Sequence, residues 1–470
     1  IDNASTGDTL QIWAWTYFEN VEVDESITII GNGTGNTTLN ATGGKGFDLD
    51  SDDISLSNIK IINCGDTATY NGIRIDGDDA TIENVIISNC GTSIYVEGAS
   101  GTWIGNSTIF NSNYIGVQYH YTSSEGVIYN SNIHNNSGSG IYISSDTITI
   151  KSNVIENNDD YGIYLNGSSQ ALIKDNNLLK NKEHNLVLYN SNDVHIIDNT
   201  ISQSDEGSGI AIISSFSPRA VIENNVISGN ELDGIGVQSS DNHYLGNNSI
   251  SSNDRYDLHF FSGTTGSIAR NTTFTTINVV SSSDMTTIEL FILDVNDASG
   301  NNMSGIDIKV TENSLQKYAS SYFGGSDSKT DSYGTIATFL INYKIYNGSS
   351  TPTTIPTYVT ARSHDWVETF TSNPSSTIQI MVPDLRVQNT RTGTLTYHIQ
   401  TAIDNADEGD TIRAWNGTYS ENIEVTEEVT IIGNGTFTII NGGSSIAIEV
   451  VEDSVTIRNL KIINAEKGIY

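Results

Sequence analysis

The chain has 470 residues, 21 Lys and Arg against 56 Asp and Glu, and a net charge of −35, so it lacks the clustered positive charge that nucleic acid or an anionic membrane surface requires. Two cysteines, five prolines and 42 glycines exclude a disulfide scaffold and a proline-rich tail. No apolar run reaches the roughly eighteen residues of a membrane span, and the length calls for two or three domains.

In chain order, the segment from Ile1, IDNASTGDTLQIWAWTYFENVEVDESITIIGNGT, returns without a gap from Ile403 as IDNADEGDTIRAWNGTYSENIEVTEEVTIIGNGT. Asp8 aligns with Asp410, Trp13 with Trp415, Asn20 with Asn422 and Gly31 with Gly433. Repetition at so long a period predicts a modular array, with residues 389–470 opening a second module and the intact protein extending beyond this segment.

From Gly46 to Phe274 a shorter period of 22–26 residues appears. One ladder runs Gly72-Ile73-Arg74-Ile75, Ile94-Tyr95-Val96, Gly116-Val117-Gln118-Tyr119, Gly140-Ile141-Tyr142-Ile143 and Gly162-Ile163-Tyr164-Leu165, and continues to Leu258-His259-Phe260. A second places asparagine before an apolar residue at Asn58, Asn84, Asn106, Asn130, Asn176, Asn224 and Asn247, with Asn153 and Asn199 one place later. Short alternating runs rich in Ile read as strands, and strands this short bury a face only when coils stack. Asparagine suits the corners because it tolerates the left-handed conformation and bonds its stacked neighbours. Residues 1–275 are therefore expected to form about eleven coils, a rod of about 50 Å at roughly 4.8 Å per coil.

This pattern resembles the right-handed parallel β-helix families: pectin-lyase-like folds, carbohydrate-binding and sugar-hydrolysis repeats, and NosD-type periplasmic proteins. Their usual opening is similar to HIQTAIDNADEGDTIRAWNGTYSENIEV (His398 to Val425), in which Ile399, Ala402, Ile403 and Ala406 share one helical face as a cap over the first coil. Cys64 and Cys90 occupy the same slot of successive coils, either as a disulfide or as two stacked buried thiols.

After Phe274 longer alternating strands are expected at 286–295, 306–312, 335–343, 357–362, 367–371 and 377–382, making 276–388 an immunoglobulin-like β-sandwich. The strings LDVNDASGNNMSGIDIKV and KTDSYGTIATFLI resemble carboxypeptidase-regulatory-like and bacterial immunoglobulin-like surface domains, which implies a spacer. The expected class is all-β: a right-handed parallel β-helix, an immunoglobulin-like sandwich, and the start of a second β-helix.

Motifs for chemistry are sparse. Polygalacturonase-type hydrolysis needs paired carboxylates with Gly-His-Gly and Arg-x-Lys strings, yet only the bare pairs Asp52-Asp53, Asp78-Asp79 and Asp159-Asp160 occur. The bases Arg74, Lys151, Lys174, Arg219 and Arg255 read as isolated, and the eight histidines as unpaired. The acidic run Asp48, Asp50, Asp52 and Asp53, with Asp76, Asp78 and Asp79 one coil on, is either a calcium site or a solvated turn, as are Asp327 and Asp331. Tyr95, Tyr142 and Tyr164 on an outer face form a sugar platform, a protein contact or an ordinary exposed strand face. Thirteen Asn-x-Ser/Thr sequons occur, a number this composition produces by chance; Asn32 and Asn434, then Asn106, Asn166, Asn247, Asn347 and Asn416, are the candidate glycan sites.

The resemblance extends to archaeal surface-layer β-helix proteins. The expectation is a non-enzymatic structural or adhesive protein of the cell surface, assembled from copies of itself. The alternative is a secreted β-helix protein that binds or cleaves polysaccharide. A gathering of carboxylates and bases at one middle coil would favour the enzyme, and none gathered would favour the structural rod.

Overall fold

The computed structural model describes residues 1, 3–214, 219–372, 376–383 and 386–470. It divides into one unit of residues 1–288 with 344–354 and another of 289–343 with 355–470.

The first unit is a right-handed parallel β-helix in which each coil contributes one strand to each of three parallel sheets. The first sheet begins at Thr9–Ile12, the second runs from Thr16–Phe18 to Ser249–Ser251, and the third from Val21–Val23 to Ile277–Val279. The three-residue strands show the burial pattern that their alternation predicts: Ile73 and Ile75 are buried around a half-exposed Arg74, and Ile141 and Ile143 around Tyr142. Their inward residues join one continuous aliphatic core from Val23 to Val279.

The turn from first to second sheet has two positions, and this resolves the asparagine pattern. The first is left-handed and faces out: Asn58, Asn84, Asn106, Asn130, Asn224 and Asn247 all have φ between 48° and 60°. The second faces in, as Ile59 and Val85, then Ser107 and Ser131, then Asn153, Asn176, Asn199, Asn225 and Asn248. Asn176, assigned from sequence to the same ladder as Asn58, belongs to the inner one, which is why Asn153 and Asn199 fell one place late. Each inner side-chain amide from Asn153 to Asn225 donates to the oxygen of the next at 3.0 Å and to a buried backbone carbonyl. A parallel buried ladder links Asn136, Asn158, Asn181, Asn185, Asn230 and Asn253. Such groups are tolerated inside because every member is satisfied. Cys64 and Cys90 are disulfide-bonded between adjacent coils.

In the second unit, Asp307–Glu312 pairs antiparallel with Leu315–Ala319 and with Thr357–Ser363, which pairs antiparallel with Trp366–Ser372. Leu293–Asp297 pairs parallel with Ile378–Val382. The single strand expected over 286–295 is two, Asp284–Phe291 and Leu293–Asp297, and the mostly exposed strand Leu315–Ala319 was not foreseen. Helix Ile399–Asp404 lays Ile399, Ala402 and Ile403 over Ile412, Ala414, Tyr419 and Ile423. Those four positions are buried, whereas their counterparts in the first unit, Leu10, Ile12, Tyr17 and Val21, are only half-buried.

Candidate functional site

Strand alternation sends one residue per coil outward from the third sheet, in the register Glu22, Asp48, Arg74, Tyr95, Gln118, Tyr142, Tyr164, Val187, Ala211, Gly236, His259, Asn278. Three regions of different chemistry follow along this face.

At one end Arg74 is ringed by carboxylates: Nη1 lies 3.0 Å from Asp48 and 3.1 Å from Asp50, and Nη2 bonds Asp76 and lies 3.3 Å from Glu97. Lys45 adds a 2.6 Å pair to Asp48. Burial alone would raise the Asp48 carboxyl, but Lys45 and Arg74 hold it below the usual range. Asp50 is raised, by burial and by the charge of Asp48. The seven acidic residues proposed for calcium thus divide between two places. Asp48, Asp50 and Asp76 turn on Arg74, while the neighbouring corner stacks Asp52 and Asp78 through backbone amides, Asp78 N–H to Asp52 at 2.8 Å and Ser100 N–H to Asp78 at 2.7 Å. Asp53 and Asp79 are the left-handed residues of that corner. Asp327 accepts the Ala319 amide, and Asp331 the amides of Tyr333 and Thr335. Among the described residues no group of three His, Cys, Asp or Glu side chains is arranged to hold a metal ion.

The middle region is aromatic. Tyr142 and Tyr164 stack with centroids 5.3 Å apart, Tyr164 stacks on Tyr161 at 5.0 Å and Tyr189 at 6.5 Å, and Tyr161 lies parallel to His184 at 6.0 Å. Tyr95 stands apart beyond Gln118, edge-on to His120. The Asn166 side-chain amide donates to the Tyr142 hydroxyl at 2.7 Å, so this sequon belongs to the rail. Of the other candidate glycan sites, Asn32, Asn106, Asn247, Asn347, Asn416 and Asn434 are exposed.

Beyond the rings the outward residues become small: Val187 is 2% and Ala211 5% exposed, although neither belongs to the interior core. This floor ends at an ionic group. Asp233, 1% exposed, accepts from Arg255 Nε at 2.8 Å and from its Nη2, and its Oδ2 lies 3.2 Å from His259 Nδ1. Asn278 Nδ2 lies 3.1 Å from His259 Nε2, which fits an imidazole protonated at Nδ1. His259 stacks on Phe261 at 3.6 Å, and the Arg255 guanidinium is 5.6 Å from the same ring. Burial would raise the Asp233 carboxyl, but hydrogen bonds from His259 and Arg255 lower it below the usual range. His184, whose Nδ1 accepts the Ser208 amide at 2.7 Å, has its pKa lowered by burial. The backbone amide of Asp233 in turn donates to the Ser208 hydroxyl, which ties these two coils together.

Two sequence expectations need correction. Arg74, Lys174 and Arg255 are not isolated, and His259 is paired, because residues 22 to 26 apart in sequence face each other across one coil step. A carboxylate does gather with bases at Asp233, Arg255 and His259, toward the end of the coils and not at a middle one. None of these three, nor Tyr161, His184 or Tyr189, had been singled out as a site. The signal lay in the first ladder, which already aligned Gly236 with His259.

No curated protein matches the chain by sequence. Among solved structures it is similar to the A-module of a mannuronan C-5 epimerase from Azotobacter vinelandii, at 14% identity over 56% of this chain and 91% of that one, TM-score 0.43. A GH87 α-1,3-glucanase catalytic unit from Streptomyces thermodiastaticus is 11% identical over 58% of this chain and 64% of that one, TM-score 0.47. The Dettilon tailspike protein is 13% identical over 75% and 71%, TM-score 0.43. With an epimerase and a glucanase among its likenesses, the expectation that the chain is not an enzyme is withdrawn. At such identities the likeness concerns the fold, and the chemistry has to be argued from this chain's own residues. Two overlapping matches to the profile "Right handed beta helix region", at residues 29–201 and 161–322, cover more than half of the sequence. The chain belongs to the right-handed β-helix family.

Proposed function

We propose that the chain binds an extended polysaccharide along the outer face of its third sheet and acts on it at the Asp233–His259 end. The observation that carries this reading is the sequence of surfaces on one face: a tyrosine rail, a small-residue floor, and an Asp–His–Arg group. From Tyr164 to His259 is four strand steps, about 19 Å at ~4.8 Å each, enough for several sugar rings in a row. Rings stacked on one another along the coils present a ridge of ring edges and hydroxyls, which can pack against sugar C–H groups and hydrogen-bond to sugar hydroxyls. Asp233 orients His259 through Nδ1 and leaves Nε2 as the nitrogen for proton transfer, the arrangement by which a carboxylate positions an imidazole as a general base. Arg255 keeps N–H groups beyond the two it gives Asp233, suited to sugar oxygens. Transfer at Nε2 requires the Asn278 amide to give way to substrate.

The same reading places the protein outside the cell, where the Cys64–Cys90 bond persists. It takes 276–388 as an immunoglobulin-like spacer and 389–470 as the start of a second β-helix. The antiparallel strands of 307–372 and the parallel pairing of Thr411–Ala414 with Thr430–Ile432 support this.

The test is a panel of polysaccharides incubated with the full chain, followed by reducing-end release, ultraviolet absorbance for unsaturated products and proton NMR for altered linkages or epimers. Turnover of at least one polymer is expected, falling about 100-fold or more in His259→Gln, the scale of a lost general base. Neither binding nor turnover of any polymer would overturn the proposal.

A further inference from the structure

We infer that the ligand of the tyrosine rail is a neutral polysaccharide and not a uronate or sulfated one; this rests on the polysaccharide reading above. Three observations converge on it.

The first is the lining of the face. Between Tyr142 and His259 the outward strand positions are Tyr142, Tyr164, Val187, Ala211, Gly236 and His259; only Tyr142 and Tyr164 are half-exposed, the rest being buried, and none carries a fixed positive charge. Recognition of a polyanion requires guanidinium or ammonium groups at intervals along the chain, each pairing with a carboxylate or sulfate. Arg255, at the end of the row, has its charge balanced by Asp233, so its remaining N–H groups suit neutral sugar oxygens, and it is one cation rather than a series along the chain.

The second is the local field. The Tyr161 hydroxyl is raised by burial and by the carboxylates of Asp160 and Glu183. The Tyr164 hydroxyl is pushed up to about 12 by burial, by the surrounding tyrosines and by Asp160. Both rings therefore sit against negative charge. Carboxylates beside stacking rings accept hydrogen bonds from sugar hydroxyls and repel sugar carboxylates at the same positions.

The third is the whole chain. At a net charge of −35, a polyanion approaches against the long-range field, and the penalty grows as salt is lowered. The same repulsion argues against a second copy of this chain as the occupant of the rail.

The experiment is affinity electrophoresis and calorimetry of the full chain with soluble β-1,3-glucan, galactomannan and xylan against alginate, polygalacturonate and a sulfated galactan, at low and high salt. Binding to at least one neutral polymer is expected, insensitive to salt and weakened about 10-fold or more by Tyr164→Ala. Tyr164→Phe should retain most of the affinity, because the ring holds the stacked row together and supplies its apolar edge. Tyr164 is half-exposed, and a thermal melt confirms that either variant is folded.

Tight binding of a uronate or sulfated polymer that weakens with salt would overturn the neutral-ligand inference and leave the polysaccharide reading standing. Neutral binding unchanged in Tyr164→Ala would overturn the rail as its site. Dimerisation abolished by Tyr164→Ala, with no glycan bound, would show a protein contact and overturn both.

Discussion

Replacing Asp233 with Asn removes the one charge on which Arg255 and His259 converge. Two charge-assisted hydrogen bonds to Arg255 weaken, one of them 2.8 Å long, and His259 loses an anionic acceptor at 3.2 Å. Hydrogen bonds to charged groups are worth about 1.5–3 kcal/mol each, and breaking a fully buried pair costs about 3–5 kcal/mol. Asp233 is buried, but the Arg255 side chain is 39% exposed and recovers much of its hydration, so the net loss is about 2–3 kcal/mol at neutral pH. The sign with pH follows from the carboxyl's lowered folded value. Its stabilisation is full above the unfolded carboxylate pKa of about 3.9 and disappears as pH falls through the still lower folded value. Urea melts of wild type and Asp233→Asn at pH 7 and pH 3 should therefore differ clearly at the first and by distinctly less at the second. A difference below about 0.5 kcal/mol at pH 7, or one that persists unchanged at pH 3, would refute the assignment of Asp233 as the charged centre of this group.

Two further outcomes test the interior. Asn199→Ala removes a ladder member whose oxygen accepts the Asn176 amides and whose own amide serves Ile173 and Asn225. At about 1 kcal/mol per lost bond and about 1–3 for a stranded buried group, it should cost about 4 kcal/mol in a urea melt, against about 1 for the exposed Asn106→Ala. His243 is buried, donates to or accepts from Ser240 at 2.7 Å and has its pKa pushed down to about 4. Its neutral form is favoured by folding, so its contribution is full above about 6.5 and is lost on acidification towards about 4. At ~1.4 kcal/mol per pH unit this amounts to about 3 kcal/mol, read as the difference in acid melting between wild type and His243→Gln.

Much of the rod was legible in the sequence because a parallel β-helix writes its register as a period. Ile73, Ile94, Val117, Ile141 and Ile163, aligned by eye in one ladder, stack in that order. The helix over Ile399, Ala402 and Ile403 was equally readable from its apolar face. The functional face was not, for a geometric reason. Asp233 and Arg255 sit at the strand margins of successive coils, and His259 is a strand residue that meets them only through stacking. No local motif brings them together; the spacing between them is that of the coil itself. The Tyr142–Tyr164 contact was visible because both lie on the strand ladder, whereas Tyr161 and His184 join from corner positions that the alternation does not mark. The acidic run was hard to read for the converse reason: residues adjacent in sequence divide between a sheet face and a corner, and the face places Arg74 among them.

The central claim is that a polysaccharide lies along the third sheet. Its most direct test is a crystal structure of the full chain soaked with a neutral oligosaccharide that binds in solution. Sugar packed along the ring edges of Tyr142 and Tyr164, with the chain running along the third sheet toward His259, is the predicted result. Sugar bound elsewhere, for example in the open hollow of the first sheet lined by Leu172, His195 and Arg219, with the tyrosine rail bare, would contradict it.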